Sequence, residues 1–302
     1  MRPRATLRNH HRAFTVVEFL VCVGVLALLL SIFIPFAVRK HEMSNRIRCA
    51  RNLATFNVVL QEYAKVNNYL LPSVIHDTEK PNGYTAFTGP DDPNPFAPGS
   101  KVQPNDVTAS LFLLVRGGYL AQNGGLSLFI CPSSSDAADP LTDAAGHAVP
   151  VLNRSNFRAP TNLSYGYCSP FSSAAKFRMN TDWLAPGAAV MADKGPGIGA
   201  GSDVLGPAPN APPLDMRWAN SNNHGQAGQN VLHGDGHVDF QRTPFCGYRD
   251  FEGPGDNIYT AAAAKPSGDA IPTQPAKGFF GRGYAPSAWG DSYLVPSEHD
   301  RD

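Results

Sequence analysis

Five side chains that can bind a metal or move a proton lie within one short stretch, NNHGQAGQNVLHGDGHVDF, Asn222 to Phe240. His224 stands first, and His233, Asp235, His237 and Asp239 follow at alternate positions. Imidazole and carboxylate are common zinc ligands, and the same pair supports general acid–base chemistry. Whether these groups act together depends on the turn between them. Asp235-Gly236 tolerates positive φ at both positions and reads as a two-residue hairpin loop. In that register His233 pairs with Val238 and Leu232 with Asp239. Val231, His233, Val238 and Phe240 then share an apolar face, while His237 and Asp239 share the other. The two histidines are divided between faces, so no metal site is expected. A three-residue loop, Gly234 to Gly236, would instead bring both histidines to one face. The expectation is a structural hairpin with a core-packed His233, preceded by a buried His224 that ties down the incoming loop.

Other chemistry finds little support. Gly-x-Ser-x-Gly, P-loop, His-Glu-x-x-His and dinucleotide-binding glycine patterns do not occur, so no catalytic residue is assigned and no enzyme is expected. Of the five cysteines, Cys22 lies in an apolar run, and Cys49, Cys131, Cys168 and Cys246 lie beyond it without a CxxC pair. A cysteine-based zinc site is therefore not expected, and the pairing of these four, free or as up to two disulfides, stays open. Lys plus Arg number 25, equal to Asp plus Glu, with no long basic run, so nothing points to nucleic acid.

The elements that must hold these groups begin with a long helix. Residues 1–13 form a basic leader without an acid. Phe14 to Val38 is a run of about 25 apolar residues, roughly 37 Å as a helix and sufficient to span a bilayer. It contains one acid, Glu18, and burying such a charge in lipid costs on the order of 3 kcal/mol. A cut between Ala13 and Phe14 would place a new α-amino group four residues before Glu18, on the same helical face. From residue 39 to 67, Leu53, Phe56, Leu60 and Tyr63 recur at helical spacing, with Ile47 and Ala50 extending the stripe. The pattern predicts one helix from Phe14 to Asn67, kinked near Pro35. Residues 68–302 change character, with short apolar bursts between Gly, Pro, Asn and Asp clusters. Ala109 to Leu120 reads as a short helix stopped near Gly117-Gly118. Leu126 to Cys131, Ser164 to Tyr167 and Ala188 to Ala192 read as strands. The tail from about Ala261 reads as partly disordered. The fold class is therefore α+β: a long N-terminal helix, membrane-spanning in its first half, packed on a loop-rich, mainly antiparallel β head.

RAFTVVEFLVCVGVLALLLSIFIPF resembles the class III signal of type IV prepilins and type II secretion pseudopilins. Such signals have a basic leader, Phe as first mature residue, Glu as the fifth and often a Pro as the twenty-second. Those places match Phe14, Glu18 and Pro35, with Ala13 where Gly is usual. The resemblance implies cleavage before Phe14 and N-methylation of Phe14 by a prepilin peptidase. It also implies pairing of Glu18 with a neighbouring subunit, and assembly with other pilin or pseudopilin subunits at the bacterial inner membrane. The N-terminus would be cytoplasmic and the head periplasmic or in an extracellular filament. His224, followed by Gly228 to Leu232 with Asn230 inside, then Asp235-Gly236-His237-Val238, resembles the H-X9-DG prepilin-type processing-associated family. Ten residues rather than nine separate His224 from Asp235 here. No cofactor is implied beyond calcium, which some pseudopilins bind; the Asp91-Asp92 and Asp136 to Asp143 loops do not form an EF-hand.

Overall fold

The computed structural model describes residues 15–77, 94, 96–122, 124–143, 145–171, 184–196, 208–249, 255–260, 292 and 294–295. Helix α1 runs Val16–Val66, 51 residues, with Pro35 inside it. Its start is fixed by a reciprocal cap. The Thr15 backbone N–H donates to Glu18 Oε2 at 2.8 Å, and the Glu18 N–H donates to Thr15 Oγ1 at 3.2 Å. This is a Thr-x-x-Glu capping box, which satisfies two donors that a helix start leaves open. The cleavage-site residues Ala13 and Phe14 lie outside the described residues.

The chain divides into two compact units, Met1–Ser44 and Asn45–Asp302. In the first unit, the large apolar side chains of Val16 to Val38 are all exposed. Among the described residues, α1 is the one helix long and apolar enough to cross a membrane.

In the second unit the remainder of α1 is a core element. Asn45, Cys49, Leu53, Phe56, Val59, Leu60 and Ala64 are buried. Steps of three and four make one stripe of these residues. Leu53, Phe56 and Leu60 were expected on it, but Ile47 is 58 % exposed. Six residues before Leu53, it points well away from the stripe, which Cys49 and Asn45 continue instead.

Helix α2, Val107–Arg116, is capped by Asp106, whose carboxylate accepts from the Ala109 N–H. It ends at Gly117-Gly118 as expected, with Gly118 at φ 74°. Leu126 to Cys131 is not a strand. Gly124 and Gly125, at φ 94° and 62°, turn the chain into a 3-10 helix, Gly125–Phe129, which buries Leu128 and Phe129. Phe129 stands between Phe56, 4.9 Å between ring centroids, and Phe157, also 4.9 Å.

The sheet is antiparallel, in the order β4-β3-β2-β1-β5. Its strands are β1 (Tyr165–Cys168), β2 (Ala189–Asp193), β3 (Gln229–His233), β4 (Val238–Gln241) and β5 (Leu294–Val295). A short helix α3, Pro213–Ala219, precedes the hairpin. β1 and β2 fall one residue later than the expected Ser164 to Tyr167 and Ala188 to Ala192. β5, within the expected disordered tail, pairs with β1 as an edge strand; apart from Ser292, the rest of that tail lies outside the described residues. The α+β class and the antiparallel character of the head hold.

Candidate metal centre

The hairpin register differs from expectation by one residue. Leu232 pairs with Val238, Val231 with Asp239 and Asn230 with Phe240. The His233 N–H donates to the His237 carbonyl at 3.0 Å, closing a three-residue loop of Gly234, Asp235 and Gly236. Gly236 sits at φ 88°, the left-handed position that three-residue loops require. The two-residue register placed Asp235-Gly236 at the tip on turn propensity alone. The Asp235 carboxylate instead accepts from the His237 backbone N–H and from its ring, which stabilises the longer loop. The two histidines consequently share a face, their rings stacked 4.3 Å apart at 10°. His233 is buried, as expected, and its Nε2 lies 3.3 Å from Asp239 Oδ1. His233, His237 and Asp239 thus form a small group at the edge of the head.

A second group is deeper, and three of its four members were not foreseen. β2 ends in Asp193, β1 neighbours it, and the loop before β3 folds His224 against it. His224 is 2 % exposed, with Nε2 3.1 Å from Asp193 Oδ2 and 3.6 Å from Cys131 Sγ. Cys131 follows the 3-10 helix, and Cys49 comes from α1. The Cys49 thiol donates to Asp193 Oδ1 at 2.9 Å. All four donor atoms lie within 4.8 Å of one another, and all four residues are buried.

The surroundings orient the group. Asn230 donates its backbone N–H to Asp193 Oδ2 at 2.7 Å and its amide to the same oxygen at 3.2 Å. The Asn223 amide donates to Asp193 Oδ1 at 3.2 Å, and the Tyr165 hydroxyl to Cys49 Sγ at 3.2 Å. Asn230 therefore belongs to the site, as does His224. Asp235, Gly236 and His237 instead shape the hairpin tip.

Burial works against protonation of His224, yet its bonds to Asp193 and Cys131 override this and raise the imidazole to about 11. Burial would raise the Asp193 carboxyl, but the bond to His224 holds it below its usual range. The Cys49 thiol is pushed up, chiefly by burial, while Cys131 is lowered, chiefly by its bond to Cys49. Without another occupant the group is a buried imidazolium–carboxylate pair beside two thiols.

The arrangement does not suit nucleophilic catalysis. A Cys–His–Asp relay uses both ring nitrogens, one toward the thiol and one toward the carboxylate. Here a single nitrogen, Nε2, faces both. Four donors converging on one volume is instead the geometry of a ligand set. Sequence spacing offered no signal for it, because Cys49 and Asp193 are 144 residues apart and Cys131 and His224 are 93 apart. The chain matches no family model, no curated protein and no solved structure.

Proposed function

We propose that this chain is a pilin- or pseudopilin-like structural subunit. It is anchored in a membrane by the first half of α1, cut before Phe14 by a prepilin peptidase, N-methylated there, and assembled with like subunits through that helix. The observation that carries the reading is the division of α1. One continuous helix is apolar and exposed from Val16 to Val38 and is a core element of the head from Asn45 onward. Exposed apolar surface of that extent needs lipid or other apolar helices around it.

Glu18 gains a dual role within this reading. In the uncut chain its carboxylate caps the helix through Thr15. Cleavage before Phe14 creates a cationic amine close by, on this chain or a neighbour, that competes for the same carboxylate. A charge so paired sets axial register between bundled helices. The head then stands outside the cytoplasm, on the periplasmic side or in an extracellular filament.

The test is expression with and without a prepilin peptidase, reading the mature N-terminus by mass spectrometry. An N-methylated Phe14 is the expected product, and an intact Met1 or a cut after Ala37 refutes the proposal. Glu18→Gln separates the two roles, because Gln still closes a capping box but carries no charge. It should insert in the membrane normally and lose assembly; unimpaired assembly would rule out the charge-pairing role.

A further inference from the structure

We propose that Cys49, Cys131, Asp193 and His224 bind one zinc ion, which ties α1 to the sheet as a structural centre of the head. The inference does not depend on pilin-like assembly.

Four observations converge on it. The first is geometry. A tetrahedral zinc with bonds of about 2.0 Å to N and O and about 2.3 Å to S has donor–donor edges of about 3.3–3.8 Å. The observed Nε2–Sγ separation of 3.6 Å lies at such an edge and the Nε2–Oδ2 separation of 3.1 Å just inside it, while the Cys49 Sγ–Asp193 Oδ1 contact of 2.9 Å is shorter and must lengthen as the ion enters. The second is the donor set. Two thiolates, an imidazole and one carboxylate oxygen are borderline-soft, which selects zinc and disfavours calcium and magnesium. The third is closure. Cys49, Cys131 and Asp193 are 0 % exposed. The site offers four protein ligands and no route for a fifth, as in structural zinc sites rather than catalytic ones. The fourth is the outer shell. Asn230 and Asn223 fix the carboxylate and Tyr165 donates to the Cys49 sulfur. Such partners hold metal ligands in place.

The metal also changes what His224 Nε2 bonds to: the nitrogen faces Asp193 and Cys131, while the Asn230 amide keeps Asp193 Oδ2 as its acceptor. A cation at the centre takes the lone pair of Nε2 and one carboxylate oxygen and replaces the protons of both thiols. Thiolates, not thiols, ligate the metal, so affinity must fall as the pH is lowered.

The experiment uses the full-length protein in detergent, purified without chelator. Elemental analysis should find one zinc per chain. After the zinc is stripped and cobalt(II) added, the visible bands and sulfur-to-metal charge-transfer absorption of a tetrahedral thiolate centre should appear. Cys131→Ser and Asp193→Asn should abolish them, while Cys246→Ser and His237→Ala should leave them unchanged. The His237 variant separates the buried group from the hairpin edge.

Should the site variants fail to fold, alkylation of the wild-type chain gives the same answer. Cys49 and Cys131 should be protected by zinc and exposed by chelation, with Cys246 indifferent to the metal. A folded protein that neither holds nor takes up zinc overturns the proposal. So does a Cys49–Cys131 disulfide seen as a mass two hydrogens lighter, or cobalt binding without thiolate absorption.

Discussion

Truncating Phe56 to Ala tests whether the second half of α1 is a core element of the head. Phe56 is fully buried, its ring 4.9 Å from Phe129 and 6.1 Å from Tyr165. Removing a buried phenyl costs about 3–5 kcal/mol through lost transfer energy and the cavity left behind. Two ring–ring contacts are lost with it, so about 4 kcal/mol is a fair central value. That is a large share of the 5–15 kcal/mol typical of a folded domain. With a urea dependence of about 2 kcal/mol per molar, the unfolding midpoint should fall by about 2 M. Near-UV circular dichroism of the full chain in detergent is the suitable probe, because micelles preserve helicity in the apolar half. Ile47→Ala is the internal control. Ile47 lies on the same helix but is 58 % exposed, so its truncation should cost no more than about 0.5 kcal/mol and move the midpoint by no more than about 0.25 M. Equal losses for the two variants would refute the assignment of the packing face.

Two further outcomes follow from buried features of the head. Burial raises the Asp106 carboxyl from 3.8 to about 6, against the pull of its bonds to Ala109, Thr108 and Asn156. The folded chain therefore holds this proton more tightly than the unfolded chain, and stability falls as pH rises from about 4 to about 6, by about 3 kcal/mol in total. Asp106→Asn keeps the cap acceptor, so the stability difference between variant and wild type should shift in the variant's favour across that window and be flat above it. Urea titrations at successive pH values read this directly, and a pH-independent difference would contradict it. In the hairpin, Gly228→Ala should cost more than Gly236→Ala. A Cβ at 228 meets the Gln241 backbone carbonyl and the Phe240 ring, whereas one at 236 meets the Asn57 amide, a side chain that can move aside. Thermal melts should rank them in that order, with Gly236→Asn milder than Gly236→Ala because Asn tolerates left-handed backbone.

The long helix, α2 with its glycine stop, β1, β2 and the existence of the hairpin were legible because each rests on local pattern. Helical spacing at Leu53, Phe56 and Leu60 survives any tertiary context that buries one face. Leu126 to Cys131 reads as a strand but folds as a 3-10 helix, because an apolar run of that length fits either and the paired Gly124-Gly125 decides between them. The hairpin register turned on a single residue. Propensity favours Asp235-Gly236 alone at the tip, but the bonds from Asp235 to His237 stabilise a three-residue loop, and that one step reverses which residues face His233. The buried ligand group was illegible for a different reason. His224 and Asn230 stood out by pattern, yet Cys49, Cys131 and Asp193 join them only through the topology of the sheet and the docking of α1. Glu18 reads as a charge in an apolar run, and its partnership with Thr15 is equally local, a Thr-x-x-Glu spacing that closes a capping box.

The division of α1 at Ser44 and Asn45 decides how the head can be excised. A soluble fragment starting at residue 68 would discard Leu53, Phe56, Val59, Leu60 and Ala64, and with them one wall of the hydrophobic core. It would also discard Cys49 and leave Asp193 without its thiol neighbour from the helix. A fragment starting a few residues before Asn45 keeps the whole stripe and leaves the exposed apolar half behind. Limited proteolysis of the detergent-held protein should find the same boundary. The backbone just ahead of Asn45 is where a protease can cut and still release an intact head.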